Sequence, residues 1–121
     1  MVSKASAQEV AQVVVEGVLL GTYQFEQFKG KKSKESKEII ALTILVKGKE
    51  VSAANKGAKQ GEVIAGAAAW SRDLGNTPAN SMTPTDLAKE AQAAGKKFGF
   101  KVQVLEPAAQ KRVGMHALLG D

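Results

Sequence analysis

The sequence predicts an α/β fold: the end of an N-terminal α/β domain, followed by the start of a mostly parallel-sheet domain. Three observations carry this expectation. Ile39 to Val46, IIALTILV, is a short continuous apolar run with β-branched residues, the pattern of a strand buried on both faces. Lys101 to Leu105 alternates polar with apolar residues, as a strand does. Segments of helical periodicity lie between them, and helix, strand, helix, strand in that order implies right-handed crossovers over a mostly parallel sheet.

The first helix is announced by Ser6 with Glu9 three residues later, a capping-box signature. Val10, Val13, Val14, Gly17, Val18 and Gly21 then follow at helical spacing. This amphipathic helix is expected to end near Gly21 to Tyr23. Phe25 and Phe28 beyond it read as packing residues rather than a ligand box. Ile39 to Val46 is the expected central strand. From about Val51 to Leu74 the positions Val51, Ala54, Ala58, Ile64, Ala67, Ala68 and Leu74 favour a second helix, with room for a break around Lys56 to Gly61. Each mid-helix glycine there, Gly57, Gly61 and Gly66, costs about 1 kcal/mol relative to alanine. Tertiary packing must therefore hold the segment, by letting another backbone approach its small-residue face.

The stretch Trp70 to Ala88, WSRDLGNTPANSMTPTDLA, reads as a helix stop, a stiff connector and a capped helix start. The stop is expected at Gly75, closing the last turn in the left-handed region. Pro78 and Pro84 push Thr77 and Thr83 toward extended angles, which leaves the connector little freedom to lose on folding. Thr83 is the expected N-cap, Pro84 the first helical residue and Asp86 an acid facing the helix dipole. Leu87, Ala88, Ala91, Ala94 and Phe98 continue that helix to a stop near Gly99, and the strand Lys101 to Leu105 follows. Pro107 opens a short helix through about Val113, closed by Gly114. Met115 to Leu119 reads as the opening of another strand.

Composition narrows the classes of function. A chain of 121 residues that is 44% hydrophobic can bury one modest core, and length alone suggests one domain. With no cysteine there is neither a disulfide framework nor a thiolate metal site, which fits a reducing compartment. MVSKASAQEV lacks the apolar core of a signal peptide, and no apolar run reaches the length of a bilayer span, so a cytoplasmic location without membrane association is expected. Much of the net charge of +5 sits in Lys29, Lys31, Lys32, Lys34 and Lys37. This block reads as a solvated loop. Nucleic-acid binding through residues 29–37 is an alternative, although no interleaved aromatics are present to stack on bases.

The inventory of chemistry-bearing groups is short. A two-metal hydrolase needs several carboxylates, often with lysine, converging on its ions. Asp73, Asp86, Glu90 and Glu106 are scattered between elements, and each has a simpler role as a helix-end or surface charge. His116 is the sole histidine and reads as an ordinary strand or loop side chain without partners. Ser71 and Ser81 have no neighbouring base and no Gly-x-Ser-x-Gly elbow, and the glycines form no phosphate loop. No catalytic, cofactor-binding or metal residue is assigned.

Arg72-Asp73-Leu74, Asn76, Pro78-Ala79-Asn80, Met82-Thr83-Pro84 and Leu87-Ala88 together resemble the segment that opens the catalytic domain of the leucyl aminopeptidases, the M17 metallopeptidase family. Glu16-Gly17, Leu19-Leu20-Gly21, Tyr23 and Phe25 agree before it. Gly99, Val102, Val104-Leu105, Gly114-Met115 and Ala117-Leu118-Leu119 agree after it. The lysine-rich loop and Lys47 to Lys59 diverge, and His116 stands where members usually carry glycine.

The resemblance implies that residues 1–50 are the last part of an aminopeptidase N-terminal domain and residues 51–121 the beginning of its catalytic domain. It implies a cytosolic, homohexameric exopeptidase that uses two divalent ions, zinc, manganese or magnesium, to remove N-terminal residues such as leucine from peptides. The family's metal-binding lysine and aspartates, and its N-T-D-A-E-G-R signature, come later than Asp121. The piece by itself is therefore expected to be inactive, with no metal bound. A non-catalytic interaction module acting through exposed apolar faces is the other alternative. Bound cations on these positions, or an unrelated topology such as an all-helical bundle, would count against the lineage.

Overall fold

Ser6 accepts a hydrogen bond from the Glu9 amide while the Glu9 carboxylate accepts one from the Ser6 amide, so the predicted capping box does start helix α1, Ala7–Gly21. The structure is a computed structural model and describes residues 5–28 and 39–119. Its described residues form two compact units, one through Thr77 and one from Pro78.

In the first unit, α1 is followed by a 3₁₀ turn, Gly48–Glu50, which runs directly into the 26-residue helix α2, Val51–Asn76. No break interrupts α2 between Lys56 and Gly61. The two helices run in the same direction: Gln8 faces Gly57 and Gln60, Val15 faces Gly61, and Leu20 faces Arg72. Their contact is made of small residues. Ala11 and Ala65 are 1% exposed, and Val15, Ala54, Gly57 and Gly61 are also buried. A Cβ on Gly61 would lie 2.6 Å from the Gln12 carbonyl oxygen, and one on Gly57 would collide with that of Gln8. The sequence suggested that Gly57, Gly61 and Gly66 weaken α2 in order to admit another backbone, and two of them, Gly57 and Gly61, do let α1 come close. Gly66 meets nothing.

Helix α2 does not stop at Gly75. Among the described residues only Gly99 and Gly114 have positive φ, and α2 continues through Asn76 to an extended Thr77 at φ −70°, ψ 125°. Pro78 denies Thr77 the helical region, so the proline sets the stop and the glycine does not. Thr77 closes the end itself, its amide and hydroxyl both donating to the Asp73 carbonyl, at 3.0 and 2.7 Å.

In the second unit, α3 spans Pro84–Phe98 with the expected N-cap at Thr83 and Pro84 in its first turn, and Asp86 does more than face the dipole, closing a capping box with Thr83. Gly99 ends it in the left-handed region at φ 77°. The chain then folds back so that Phe100 and Val102 lie against Gly95. Helix α4, Pro107–Arg112, follows, with the Gln110 side-chain amide donating to the Leu105 carbonyl at 2.6 Å. Gly114, at φ 78°, leads into a last helical turn, α5, His116–Leu119.

The α/β expectation is therefore overturned: the described residues contain helices and no strand. Ile39–Val46 and Lys101–Leu105 have no regular secondary structure, and Met115–Leu119 is mostly helical turn. A strand exists only as a member of a ladder, and apolar alternation supplies a face but no partner edge. No described segment offers that edge. Ile39–Val46 instead runs along α1 and α2, with Ile44 and Val46 half-buried while Ile40 is 95% and Leu45 91% exposed. The strand expected to open at Met115–Leu119 is not there: a short apolar run fits either period, and the Leu118 amide donates to the Met115 carbonyl at 3.2 Å in a helical turn.

Candidate functional site

Among the described residues a polar cluster joins the ends of the two parallel helices. Arg72, Asp73 and Asn76 lie on the last turns of α2, and Tyr23 follows the end of α1. The Tyr23 hydroxyl donates to Asp73 Oδ1 at 2.6 Å and accepts from Asn76 Nδ2 at 3.3 Å. The Arg72 guanidinium lies 5.5 Å from the centre of the Tyr23 ring and donates to the Leu20 carbonyl at 3.2 Å. Partial burial pushes the Tyr23 phenol above its ordinary value, and the bond to the Asp73 carboxylate adds to this while Asn76 opposes it. The site is thus a cation, a carboxylate, an amide and a phenol gathered around the Tyr23 hydroxyl and ring.

A groove of about 540 Å³ lies along α1, α2 and Ile39–Val46. Its walls are chiefly apolar, with Val15, Val18, Leu19, Leu42 and Ile44 among them, and Thr22, Asn55 and Glu62 supply its polar side chains. Nothing there pairs a nucleophile with a base.

Two further carboxylates serve helix starts. Glu9 is held below the usual carboxylate range by the Ser6 amide and then by its hydroxyl. Asp86 is lowered by the Thr83 hydroxyl and by Lys89, whose ammonium lies 3.2 Å away on the surface, where such a pair contributes little. Glu90, Glu106 and His116 are exposed and lie on separate elements, and Ser71 and Ser81 are exposed without a base. Among the described residues no group of three or more His, Cys, Asp or Glu side chains comes together. Asp73 is already taken by Tyr23. The donor set of the described residues does not fit a two-ion centre. The basic block at residues 29–37 and Asp121 lie outside the described residues. Among the described residues no helix is long and apolar enough to cross a membrane.

Sequence reasoning missed the joining of Tyr23 to Arg72, Asp73 and Asn76. Its signal was available: three polar residues at i, i+1 and i+4 near a helix stop, and a tyrosine just past an earlier helix stop.

The sequence profile of the cytosol aminopeptidase family, catalytic domain, matches residues 69–120. The chain is 36% identical over 118 residues to a probable cytosol aminopeptidase of Alkaliphilus metalliredigens, covering 95% of this chain and 23% of that protein. It is 39% identical over 124 residues to one of Chlorobaculum tepidum, covering 97% and 25%. With one of Nitratidesulfovibrio vulgaris it shares 42% identity over 113 residues, covering 92% and 22%. These likenesses bear out the resemblance read from Trp70 to Ala88 and its flanks. The chain spans about a quarter of the length of these relatives. No solved structure matches it. The helical architecture does not count against the lineage in the way expected, since nearly the whole chain aligns with these relatives regardless of which segments find strand partners.

Proposed function

We propose that this relative of the cytosol aminopeptidases is a portion of a metal-dependent leucyl aminopeptidase, an enzyme that removes N-terminal residues from peptides. The observation that carries this is identity of 36 to 42% along 92 to 97% of the chain to three proteins of that description. In the whole enzyme two divalent ions, zinc, manganese or magnesium, would do the chemistry on residues other than these, in a cytoplasmic homohexamer acting on peptides. Residues 1–50 would close its N-terminal domain and residues 51–121 would open its catalytic domain, in keeping with the catalytic-domain match at 69–120. The portion contributes scaffold.

Two features support a scaffold role. In this portion Glu9 and Asp86 are engaged in helix caps and Asp73 with Tyr23, and the described carboxylates do not converge on one point. Its apolar side chains are unusually uncovered, with Ile40, Leu45, Val63 and Leu118 at 95, 91, 73 and 72% exposed, more than a small chain leaves to water without a covering surface. The test is turnover of a leucyl chromogenic amide with added manganese or zinc. The 121-residue chain is expected to give none above a metal blank, and the longer polypeptide that contains it is expected to be active. Metal-dependent turnover by the short chain would overturn the scaffold assignment, and an inactive long polypeptide would overturn the enzyme assignment.

A further inference from the structure

Two helices that run side by side in the same direction bring two negative dipole ends together. Neither α1 nor α2 carries a basic residue in its own last turn. Arg72, one residue ahead of the last turn of α2, reaches across to the Leu20 carbonyl, one of the last four carbonyls of α1, which no continuing helix can satisfy. It therefore lies where a single cation can serve both ends. Its guanidinium is planar, so it can stack on the Tyr23 ring while it donates to Leu20, which an ammonium could not reproduce. Asp73, an acid at the unfavourable end of α2, is offset by the Tyr23 hydroxyl, and Asn76 completes the phenol.

We propose that Arg72, Asp73 and Asn76, residues that carry the family resemblance, form with Tyr23 a latch closing the common C-terminal end of α1 and α2, with Arg72 as a shared cap in trans. Their identities answer to this latch. The latch also holds the turn from Asp73 to Thr77, the residue from which the connector at Pro78 departs. Release of the latch loosens Thr22 to Phe25 and Asp73 to Thr77 while the Ala11–Ala65 seam stays shut.

Amide hydrogen exchange on the full 121-residue chain tests this. In Arg72→Ala, the Thr22 and Thr77 amides are expected to exchange at least tenfold faster, with Val15 and Ala65 within twofold of the parent. Tyr23→Phe, which keeps the ring and removes the hydroxyl, is expected to accelerate Thr77 more than Thr22. Arg72→Lys, which keeps the charge, is expected to recover part of the protection at Thr22. Unchanged exchange at Thr22 and Thr77, or a uniform rise that includes Val15 and Ala65, would overturn the latch. If Arg72→Ala does not fold, Tyr23→Phe decides the matter on the same four amides.

Discussion

Replacing glycine by alanine at three positions of α2 separates the helix-forming tendency of the residue from the packing of the pair. On propensity alone each change stabilises a helix interior by about 1 kcal/mol. Gly66→Ala should realise that gain in full, because a Cβ there meets nothing within 4 Å. At Gly57 the new methyl group would fall on the Gln8 carbonyl, 2.8 Å from its carbon and 3.0 Å from the Gln8 Cα. Carbon contacts are comfortable at about 3.5 to 4.0 Å. Backbone cannot rotate out of the way, so the helices must part by roughly 1 Å along a seam otherwise closed by Ala11, Val15, Ala54 and Ala65. Overpacking of this kind costs roughly 1 to 3 kcal/mol, toward the upper end where the obstacle is main chain. Against the gain of about 1 kcal/mol this leaves Gly57→Ala destabilised by about 2 kcal/mol. Gly61→Ala should fall between, since its neighbours include the Val15 side chain, which can yield. Urea unfolding followed by helical circular dichroism gives the three midpoints, expected in the order Gly66→Ala, parent, Gly61→Ala, Gly57→Ala. A Gly57→Ala midpoint as high as that of Gly66→Ala would refute the close approach of α1 and α2.

The capping box of α1 makes stability depend on acid. Because folding lowers the Glu9 pKa from 4.5, its contribution is complete above pH 4.5 and is lost as pH falls through the lowered folded value. Asp86 behaves likewise from 3.8 downward. Acid titration of helicity should therefore show a loss in this range, and Glu9→Gln, which keeps an acceptor, should flatten the Glu9 part of it. The ends of α3 are separately testable by thermal melts. Thr83→Ala removes the cap and should cost about 1 kcal/mol, and Gly99→Ala, at φ 77°, should cost a similar ~1 kcal/mol from left-handed strain. Melting points within error of the parent for both would contradict those caps.

Local order in the chain was legible because its causes are local. Ser6 with Glu9, Thr83 with Pro84 and Asp86, and Gly99 and Gly114 act within one turn, so the sequence by itself determined where α1, α3 and α4 begin and where the last two end. It also carried the lineage, which resides in residue identities and needs no contacts. Ile39–Val46 and Lys101–Leu105 have the pattern of strands, but a ladder needs a second edge, and only the tertiary structure could say that no described segment supplies one. The same holds for the site. That Arg72, Asp73 and Asn76 meet Tyr23 some fifty residues away depends on α1 and α2 lying parallel at the spacing that Gly57 and Gly61 permit, and only the packed pair decides it.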